Sequence, residues 1–479
     1  MSIKSWFGKA ASVALAASVG FGAALAVAAP ASAVDGPNID PDTTGSITIQ
    51  KFERPLGDLA ETNGQPADTS GLTPLAGVTF TITPVNVDLL TNAGWEEAQA
   101  LTAALAADPA AIPANLGTAT TLSATSATGI TLAADLPVGL YLIREVDAPA
   151  TVATKSAPFL VSIPLPTTNT EGETTWLTDV HVYPKNAVSA VEKTVDDSTA
   201  FALGDIVTWT IDATIPAFGA GETIEAYSIV DDLDDRLAYV APATVAVTDA
   251  AGNPVALTAG TDYTVSTTDP VTVEFTESGR TALLGAAGGT VTVTIDTEVT
   301  EVRDGVITNT AFANVNDSTI ESNEVQTTWA KVKIFKHDAA DDTLGLEGAV
   351  FEVFTAETGG EALEFTIDGA TVTQFTTDAN GEVVIPGLKA GETYWLEEVV
   401  APDRYFGLDS RVKVVVNDTT HVGQEVAVDI ANTQIPDWAL PLTGGNGTLT
   451  FGIAGGALVL IAAGAAVLIA RRKATPATV

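Results

Sequence analysis

The stretch Tyr394-Trp-Leu-Glu-Glu-Val-Val-Ala-Pro402 repeats an earlier one, Tyr141-Leu-Ile-Arg-Glu-Val-Asp-Ala-Pro149, in the order and type of its residues. Two further pairs of stretches recur in the same order: Ile47-Thr-Ile-Gln-Lys51 with Val332-Lys-Ile-Phe-Lys336, and Leu75-Ala-Gly-Val-Thr-Phe80 with Leu346-Glu-Gly-Ala-Val-Phe351. Self-similarity of this kind indicates a duplicated structural unit. Residues 46–186 and 331–432 are therefore predicted to share one fold.

Most of the chain alternates apolar and polar residues, a pattern typical of half-buried β-strands. Clear examples are residues 46–50, 290–295 and 411–416. Glycine, proline and Asn/Asp pairs interrupt the strands at short intervals, as in β-sandwiches. One helix is predicted near residues 94–107, started by Asn92 and stopped before Asp108-Pro109. The predicted fold class is therefore all-β.

Both ends of the chain carry targeting signals. Lys4 and Lys9 precede a long Ala/Val/Leu run that ends in Ala31-Ser-Ala33, so residues 1–33 are predicted to be a signal peptide. Near the other end, the apolar stretch 451–470 is long enough to cross a bilayer and is followed by three basic residues that would stay on the cytoplasmic side. Just before it stand Leu440, Pro441, Leu442, Thr443 and Gly444.

The chain between these signals is strongly acidic and free of cysteine. Five of its 21 basic residues lie in the two end segments, so 16 remain against 60 acidic residues, a formal charge of −44. Such a surface repels nucleic acid and anionic membranes, so neither is a predicted partner. The absence of cysteine excludes disulfides, metal–thiolate sites and cysteine nucleophiles.

Several of these motifs together resemble the major, or shaft, pilins that sortases assemble in Gram-positive bacteria, most closely the fimbrial subunits of oral actinomycetes. Leu440-Pro-Leu-Thr-Gly444, with the apolar stretch and basic end, is similar to the LPxTG cell-wall sorting signal. Trp176-Leu-Thr-Asp-Val-His-Val-Tyr-Pro-Lys185 looks like the pilin motif. The two repeated Tyr-to-Pro stretches look like the E-box, although Val146 and Val399 stand where the family commonly has threonine.

The resemblance implies a structural subunit of a covalent, wall-anchored surface pilus that supports adhesion. A pilus-specific sortase would cut after Thr443 and join its carboxyl to Lys185 of the next identical subunit, and finally to peptidoglycan. A minor tip pilin and receptors on host or bacterial surfaces are further implied partners. The chain would be a substrate rather than an enzyme, and no cofactor is implied.

The predicted architecture is three tandem immunoglobulin-like β-sandwich domains, of which the first and third resemble CNA-B domains. The length between the two end signals suits three domains of ordinary size. The predicted segments are a signal peptide (1–33), an N-terminal domain with the pilin motif (34–187), a middle domain (188–329), a C-terminal domain (330–436), and the sorting signal with membrane helix and basic tail (437–479).

Strand parity predicts a polar cluster inside the third domain. Side chains two residues apart share one face of a strand. By this rule Lys336, Glu398 and Asn432 each lie on an apolar, buried face. Three polar groups are costly to bury apart; together they resemble the Lys–Asn isopeptide triads of pilins. Burial lowers the pKa of a lysine and raises that of a carboxyl, so a neutral amine could attack the amide that the acid polarises, releasing ammonia.

The middle domain offers Lys193 and Asp231 on inward faces in the same way. Two asparagines are candidates for the amide. Asn323 lies in the predicted final strand, and the resemblance favours a link between first and last strands, so Asn323 is the predicted partner. Asn309, one strand earlier, remains the alternative.

The first domain places Lys51, Glu145 and Asn186 on inward faces, a possible third triad. The neighbouring Lys185 is predicted to point outward with His181 and Tyr183. An exposed lysine is what an external acyl-enzyme requires, so Lys185 suits polymerisation while Asn186 suits an internal bond. The alternative for each cluster is a hydrogen-bonded group without a covalent bond.

Other functions have weaker support in the sequence. Two acidic runs, Asp231-Asp232 with Asp234-Asp235 and Asp338 with Asp341-Asp342, could hold calcium, but they lack the EF-hand pattern and are interpreted as solvated turns. A monomeric wall-anchored adhesin would carry the same sorting signal without needing Lys185. A wall-attached hydrolase is disfavoured because no carboxylate pair stands in a recognisable catalytic setting.

Overall fold

The computed structural model describes residues 38–56, 62–168, 174–219 and 222–436. The chain divides into two compact units, Met1–Thr328 and Trp329–Val479. The predicted signal peptide and sorting signal lie outside the described residues. Within the described ranges, no helix is long and apolar enough to span a membrane.

The first part of the larger unit consists of short strands and one helix. The elements are β1 (Thr44–Gln50), β2 (Phe52–Glu53), β3 (Thr79–Val85), α1 (Asn92–Ala107), β4 (Thr120–Thr121), β5 (Ile130–Pro137), β6 (Gly139–Asp147), β7 (Val152–Thr154), β8 (Phe159–Ile163), β9 (Leu165–Thr168), β10 (Thr174–Leu177), β11 (Asp179–Val182) and β12 (Lys185–Val188). Their sheets have the orders β11-β1-β5, β4-β3-β6-β8, β2-β12-β7 and β10-β9. The parallel pairs β1–β11 and β2–β12 bring the beginning and the end of this part side by side.

The apolar core of this part lies between β1 and β6. Ile47 and Ile49 of β1 are buried in one cluster with Ile143 of β6. On the opposite face of β6, Leu142 packs in a second cluster with Leu105 of α1. Strand β1 alternates because one of its faces packs against this core, whereas β6 is buried on both faces.

Helix α1 ends where the sequence predicts but begins two residues earlier, at Asn92. Thr91 rather than Asn92 is its N-cap, and the Thr91 hydroxyl accepts the backbone N–H of Gly94 at 3.1 Å. The helix ends at Ala107, before the predicted Asp108-Pro109 stop.

The second part of the larger unit is a further pair of sheets. Its elements are β13 (Val191–Asp196), β14 (Ile206–Thr214), β15 (Tyr227–Asp231), β16 (Leu237–Thr248), β17 (Tyr263–Val265), β18 (Val271–Phe275), α2 (Glu277–Gly285), β19 (Thr290–Val299), β20 (Val306–Asn309), β21 (Ala311–Val315) and β22 (Ser318–Glu321). The sheet orders are β13-β14-β19-β16 and β17-β18-β15-β21-β22. The short helix α2 was missed by the sequence prediction, which placed a single helix between the two end signals.

The smaller unit contains the second copy of the repeated template. Its first strand, β23 (Val325–Asp338), begins in the larger unit and pairs there with β20. The following strands are β24 (Asp341–Gly345), β25 (Val350–Phe354), β26 (Phe365–Ile367), β27 (Ala370–Val372), β28 (Phe375–Thr376), β29 (Glu382–Lys389), β30 (Thr393–Val400), β31 (Val412–Val415) and β32 (Glu425–Asn432). β23 pairs with β24, β29 and β32, and a second sheet has the order β28-β25-β30-β31. The first and last strands, β23 and β32, are parallel neighbours. The all-β prediction is confirmed.

Candidate functional site

The predicted third-domain residues meet in one buried cluster. Lys336 of β23 and Asn432 of β32 are buried, and so is the side chain of Glu398 of β30. Lys336 Nζ donates directly to Asn432 Oδ1 and lies 3.1 Å from Glu398 Oε1. Asn432 Nδ2 donates to both carboxylate oxygens of Glu398, at 2.7 and 3.0 Å. Amine, amide and acid are thus in mutual contact.

Strand register explains why these three residues meet. Lys336 lies opposite Ile430 in the parallel β23–β32 pair, so Asn432 is the next residue on the same inward face. Glu398 comes from the other sheet, where Tyr394 and Leu396 share its face and are buried. The side chain of the lysine also lies over the ring of Phe351, with Nζ 5.8 Å from the ring centroid. Burial lowers the pKa of Lys336, which favours the neutral amine.

The middle part of the chain has a similar cluster with different members. The side chains of Lys193 on β13 and Asp231 on β15 are buried and form an ion pair. Burial lowers the pKa of Lys193 to about 8 and raises the pKa of Asp231. Asn309, the last residue of β20, is buried and its Nδ2 donates to Asp231 Oδ2 at 3.3 Å. The Lys193 Nζ lies 5.7 Å from the ring centroid of Trp209.

Asn323, the predicted partner of Lys193, does not join this cluster. Its Oδ1 accepts the backbone N–H of Lys193 and its Nδ2 donates to the backbone carbonyl of Lys193, both at 2.9 Å. Asn323 lies in the connection between β22 and β23, where strand parity no longer applies. The structure thus places Asn309, the alternative, and not Asn323 beside the Lys193–Asp231 pair.

The possible first-domain triad also meets in the core. Lys51 and Asn186 are buried, as is the side chain of Glu145. Lys51 Nζ donates to Glu145 Oε2 at 2.8 Å, and Asn186 Nδ2 donates to Glu145 Oε1 at 2.6 Å. Burial lowers the pKa of Lys51 to about 8, against the opposing effect of the Glu145 charge. The amine lies 5.6 Å from the ring centroid of Phe80.

The first-domain cluster has a fourth member that sequence reasoning missed. Ser156 donates its hydroxyl to Glu145 Oε2 at 2.7 Å, and the same hydroxyl accepts from Lys51 Nζ at 3.0 Å. Ser156 lies eleven residues after Glu145, outside any pattern that the strand alternation covers. The second copy of the repeat has a corresponding contact, because the backbone N–H of Leu408, ten residues after Glu398, donates to that carboxylate.

Lys185 lies on the opposite face of the strand from Asn186 but is half-buried rather than freely exposed. It stands opposite Phe52 in the parallel pair of β12 with β2. Burial and the nearby charge of Arg54 lower the pKa of Lys185. The amine therefore combines partial access with a raised fraction of the neutral, nucleophilic form.

Tyr183 does not point into solvent as predicted; it is buried. Its hydroxyl accepts the backbone N–H of Ala67 at 2.7 Å, and its ring stacks on Phe52 at a centroid distance of 6.5 Å. Pro74 forms a backbone bridge with Phe52 from the same connecting segment. This segment covers the outer face of the strand, which strand parity alone assigns to water.

Most carboxylates of the two acidic runs considered for calcium pair with other side chains of the protein. Asp231 pairs with Lys193, Asp234 with Arg236 and Asp235 with Arg303. In the second run, Asp338 accepts the hydroxyl of Tyr405 at 2.7 Å, and Asp341 accepts that of Thr343. Over the described residues, no three His, Asp or Glu side chains form a metal-holding group.

Three parts of the chain match known families in turn. Residues 42–187 match the Gram-positive pilin subunit D1, N-terminal domain. Residues 184–329 match the cell surface antigen I/II C2 terminal domain, and residues 330–432 match the prealbumin-like fold domain.

Two relatives align along nearly the whole chain. The fimbrial subunit type 2 of Actinomyces naeslundii is 31% identical over 517 aligned residues, which cover 94% of this chain and 93% of that protein. The fimbrial subunit type 1 of Actinomyces viscosus is 31% identical over 541 aligned residues, covering 99% and 98%. The chain belongs to this family of fimbrial subunits. A solved structure, the full-length major pilin SpaD from Corynebacterium diphtheriae, matches this chain with a TM-score of 0.67 at 28% identity, covering 83% of this chain and 99% of that one.

The chain is thus a structural subunit of a pilus shaft on the cell surface. Pilin subunits of this kind polymerise into fimbriae, and the relatives are structural pilins. The predicted membership in the major pilins and the predicted shaft function are confirmed.

Proposed function

We propose that a pilus-specific sortase joins the subunits through Lys185 and Thr443. The enzyme would break the bond between Thr443 and Gly444 and hold the Thr443 carbonyl as a thioester. The neutral Nζ of Lys185 on the next subunit would then attack that carbonyl. An amide forms, the thioester breaks, and the amine loses a proton to the enzyme. Repetition gives a head-to-tail polymer that does not close.

The observation that carries this proposal is the setting of Lys185. It ends the pilin-like motif 176–185, within the stretch that matches the pilin D1 family. Its amine is half-buried beside Arg54, and its lowered pKa favours nucleophilic attack near neutral pH. In contrast, the inward neighbour Asn186 is buried against Glu145 and is out of reach of an external enzyme.

The proposal extends to export, anchoring and partners. The signal peptide 1–33 would direct export, and the apolar stretch 451–470 would hold the chain in the membrane until the sortase acts. The last Thr443 would be transferred to peptidoglycan. A minor tip pilin and host or bacterial surface receptors are further proposed partners. The three-domain division at residues 34–187, 188–329 and 330–436 belongs to the same proposal.

Inside each proposed domain, the buried lysine would form an amide with its asparagine. Lysine Nζ bonds to asparagine Cγ, the Cγ–Nδ2 bond breaks, and ammonia leaves with a proton that the acid relays from the amine. The proposed sets are Lys336, Asn432 and Glu398; Lys193, Asn309 and Asp231; and Lys51, Asn186 and Glu145. Contact of Lys336 Nζ with Asn432 Oδ1 and the buried, lowered-pKa amines support this chemistry.

Such bonds would suit a fibre under load. Lys336 and Asn432 lie on neighbouring parallel strands at the two ends of their domain, so tension entering one strand would leave through the other. The closed loop spans 96 residues. By analogy with a disulfide that closes a loop of about 100 residues, the bond would stabilise the domain by roughly 4–5 kcal/mol.

Replacing Lys185 tests the polymerisation proposal. In cells that make the fimbria, Lys185→Ala should abolish the SDS-resistant ladder of high-mass species in cell-wall extracts. Lys155→Ala is the matched control, because Lys155 is an exposed lysine of the same part of the chain, and it should leave the ladder intact. A ladder that persists in Lys185→Ala would contradict the proposal. A ladder that is missing from the unaltered protein as well would favour a singly displayed adhesin.

A further inference from the structure

Two connections of the middle part lie next to the reacting groups of the proposed Lys193–Asn309 bond. The connection of residues 232–236 begins directly after Asp231, the acid, which ends β15. The connection of residues 300–305 leads into β20, a strand of four residues that ends at Asn309, the amide. The positions of these two connections therefore affect how the acid and the amide meet.

Arg236 joins the two connections from a nearly buried position. Its side chain is only 8% exposed. Its Nε and Nη2 donate to the two carboxylate oxygens of Asp234, at 2.7 and 2.6 Å, and the same Nη2 donates to the backbone carbonyl of Val306 at 2.7 Å. Asp234 lies three residues after the acid, and Val306 lies three residues before the amide. One guanidinium thus links the segment that follows the acid to the strand that carries the amide.

Arg236 also holds the second connection at further points. Its backbone carbonyl accepts the backbone N–H and the hydroxyl of Thr300, at 2.8 and 2.9 Å. Its Nη1 donates to the carboxylate of Asp304 and to the backbone carbonyl of Val302. A guanidinium can make several such contacts at once because it presents five donors in a rigid plane. The connection is therefore fixed along most of its length.

The amide at the far end of β20 is sensitive to small movements of that strand. In the described part of the chain, β20 pairs with one strand, β23. The hydrogen bond from Asn309 Nδ2 to Asp231 Oδ2 is 3.3 Å long. A displacement of about 0.3 Å would take it beyond the usual range of hydrogen bonds. An anchor at the beginning of β20 therefore matters for the contact at its end.

We propose that Arg236 is a positioning residue for the Lys193–Asn309 bond, holding β20 so that the amide of Asn309 stays beside Asp231. In the reaction, Lys193 Nζ bonds to Asn309 Cγ, the Cγ–Nδ2 bond breaks, and ammonia leaves with the proton that Asp231 relays from the amine. Arg236 keeps its charge and its protons throughout. The inference rests on the proposed internal bonds and not on polymerisation at Lys185.

The rate of bond formation tests this inference. The full chain is synthesised in a cell-free system without sortase, quenched in acid denaturant at intervals and digested, and the cross-linked peptides are quantified by mass spectrometry. Arg236→Ala should slow the Lys193–Asn309 bond by about tenfold to a hundredfold, the effect of misplacing a reacting group by up to about 1 Å. The Lys336–Asn432 bond forms in the same chain and serves as the internal reference, so its rate should not change.

Arg236→Lys separates the position of the side chain from its charge. Lysine keeps the positive charge, but its ammonium cannot reproduce the planar fork that binds Asp234 and Val306 together. The lysine variant should therefore remain severalfold slower than the unaltered chain. The shape of its pH profile should not change, because the reacting amine and acid are the same groups.

Two neighbouring aspartates provide a matched pair of variants. Asp234 binds the nearly buried Arg236, whereas Asp235 pairs with Arg303, whose side chain is 46% exposed. Asp234→Asn replaces one acceptor oxygen by a donor and should slow the Lys193–Asn309 bond. Asp235→Asn weakens an exposed ion pair, which contributes little to stability, and should leave the rate unchanged. This pair keeps the inference testable even where Arg236→Ala fails to fold.

A purely structural role of Arg236 is measured separately. Instability would lower the rate only by the fraction of chains whose middle part is unfolded, because the folded fraction would react as before. Hydrogen exchange of β14 and β19 measures that fraction in an Asn309→Ala background, where the bond cannot form. The slowing in Arg236→Ala should exceed the loss that this fraction accounts for.

Each of the following results would overturn the inference: an unchanged rate in folded Arg236→Ala, slowing that the unfolded fraction fully explains, Arg236→Lys as fast as the unaltered chain, or equal rates in Asp234→Asn and Asp235→Asn. A Lys193–Asn309 peptide that never forms in the unaltered chain would overturn the internal bond together with the inference. Failure of polymerisation would appear separately, in the SDS-resistant ladder.

Discussion

Lys51 directly precedes β2, and Lys185 lies on β12, which pairs with β2, yet the fold gives the two lysines opposite surroundings. Lys51 is fully buried with Glu145 and Asn186, whereas Lys185 is half-buried on the other face, beside Arg54. Burial lowers the pKa of both amines. A lowered pKa alone therefore does not determine which group an amine attacks. In the proposed chemistry, the amide or acyl group that comes near the amine determines whether the lysine links its own domain or the next subunit.

The largest effect is expected from removing the amide that lies beside the buried Lys193–Asp231 pair. Asn309→Ala should eliminate one internal bond completely, because its side chain is the amide next to Lys193 and Asp231. Intact mass should then show one ammonia more than in the unaltered protein, after correction for the substitution.

Asn323→Ala is the matched control for that prediction, since the Asn323 side chain hydrogen-bonds to the backbone of Lys193 and not to its amine. It should leave the number of internal bonds unchanged and at most lower stability by a few kcal/mol through two lost hydrogen bonds. The reverse outcome, with the bond lost in Asn323→Ala and kept in Asn309→Ala, would restore the original sequence prediction.

A smaller effect is expected at the half-buried Lys185 when Arg54 is replaced. Its positive charge contributes to the lowered pKa of Lys185, so Arg54→Ala should raise that pKa and reduce the neutral fraction at neutral pH. The rate of sortase-catalysed transfer to Lys185 should fall severalfold at pH 7, and its pH profile should move to higher pH.

Arg54→Lys keeps the charge and should keep the pH profile of the unaltered protein. Arg54 also lies 3.4 Å from Glu222, so Glu222→Gln serves as a control for loss of that ion pair and should leave the profile largely in place. A profile that does not move in Arg54→Ala would show that burial alone sets the reactivity of Lys185.

Much of this arrangement was predictable from strand alternation. Lys336 follows Val332 and Ile334 on one inward face, and the structure buries all three. Parity works there because β23 and β32 are continuous strands packed against a core. The repeat then extends the same reasoning to Lys51 in the first domain.

Strand alternation does not predict the surroundings of a residue that lies outside a regular strand or is covered by a distant segment. Asn323 lies in a connection, so its orientation follows local hydrogen bonds instead of the pleat. Tyr183 is covered by the segment that contains Ala67, which no local pattern reveals. Ser156 reaches Lys51 across 105 residues of sequence. Such contacts depend on tertiary packing, which alternation does not encode.

The proposed polymer depends on an amide that joins Thr443 of one subunit to Lys185 of the next. The most direct measurement is mass spectrometry of purified, protease-digested fibres, searching for a branched peptide in which the Thr443 carbonyl is attached to Lys185 Nζ. We expect this branched peptide to carry the main linkage between subunits, and we expect Gly444 to be absent from the joined chain. Fibres that separate into single chains in boiling detergent, or a linkage through a different lysine, would contradict it.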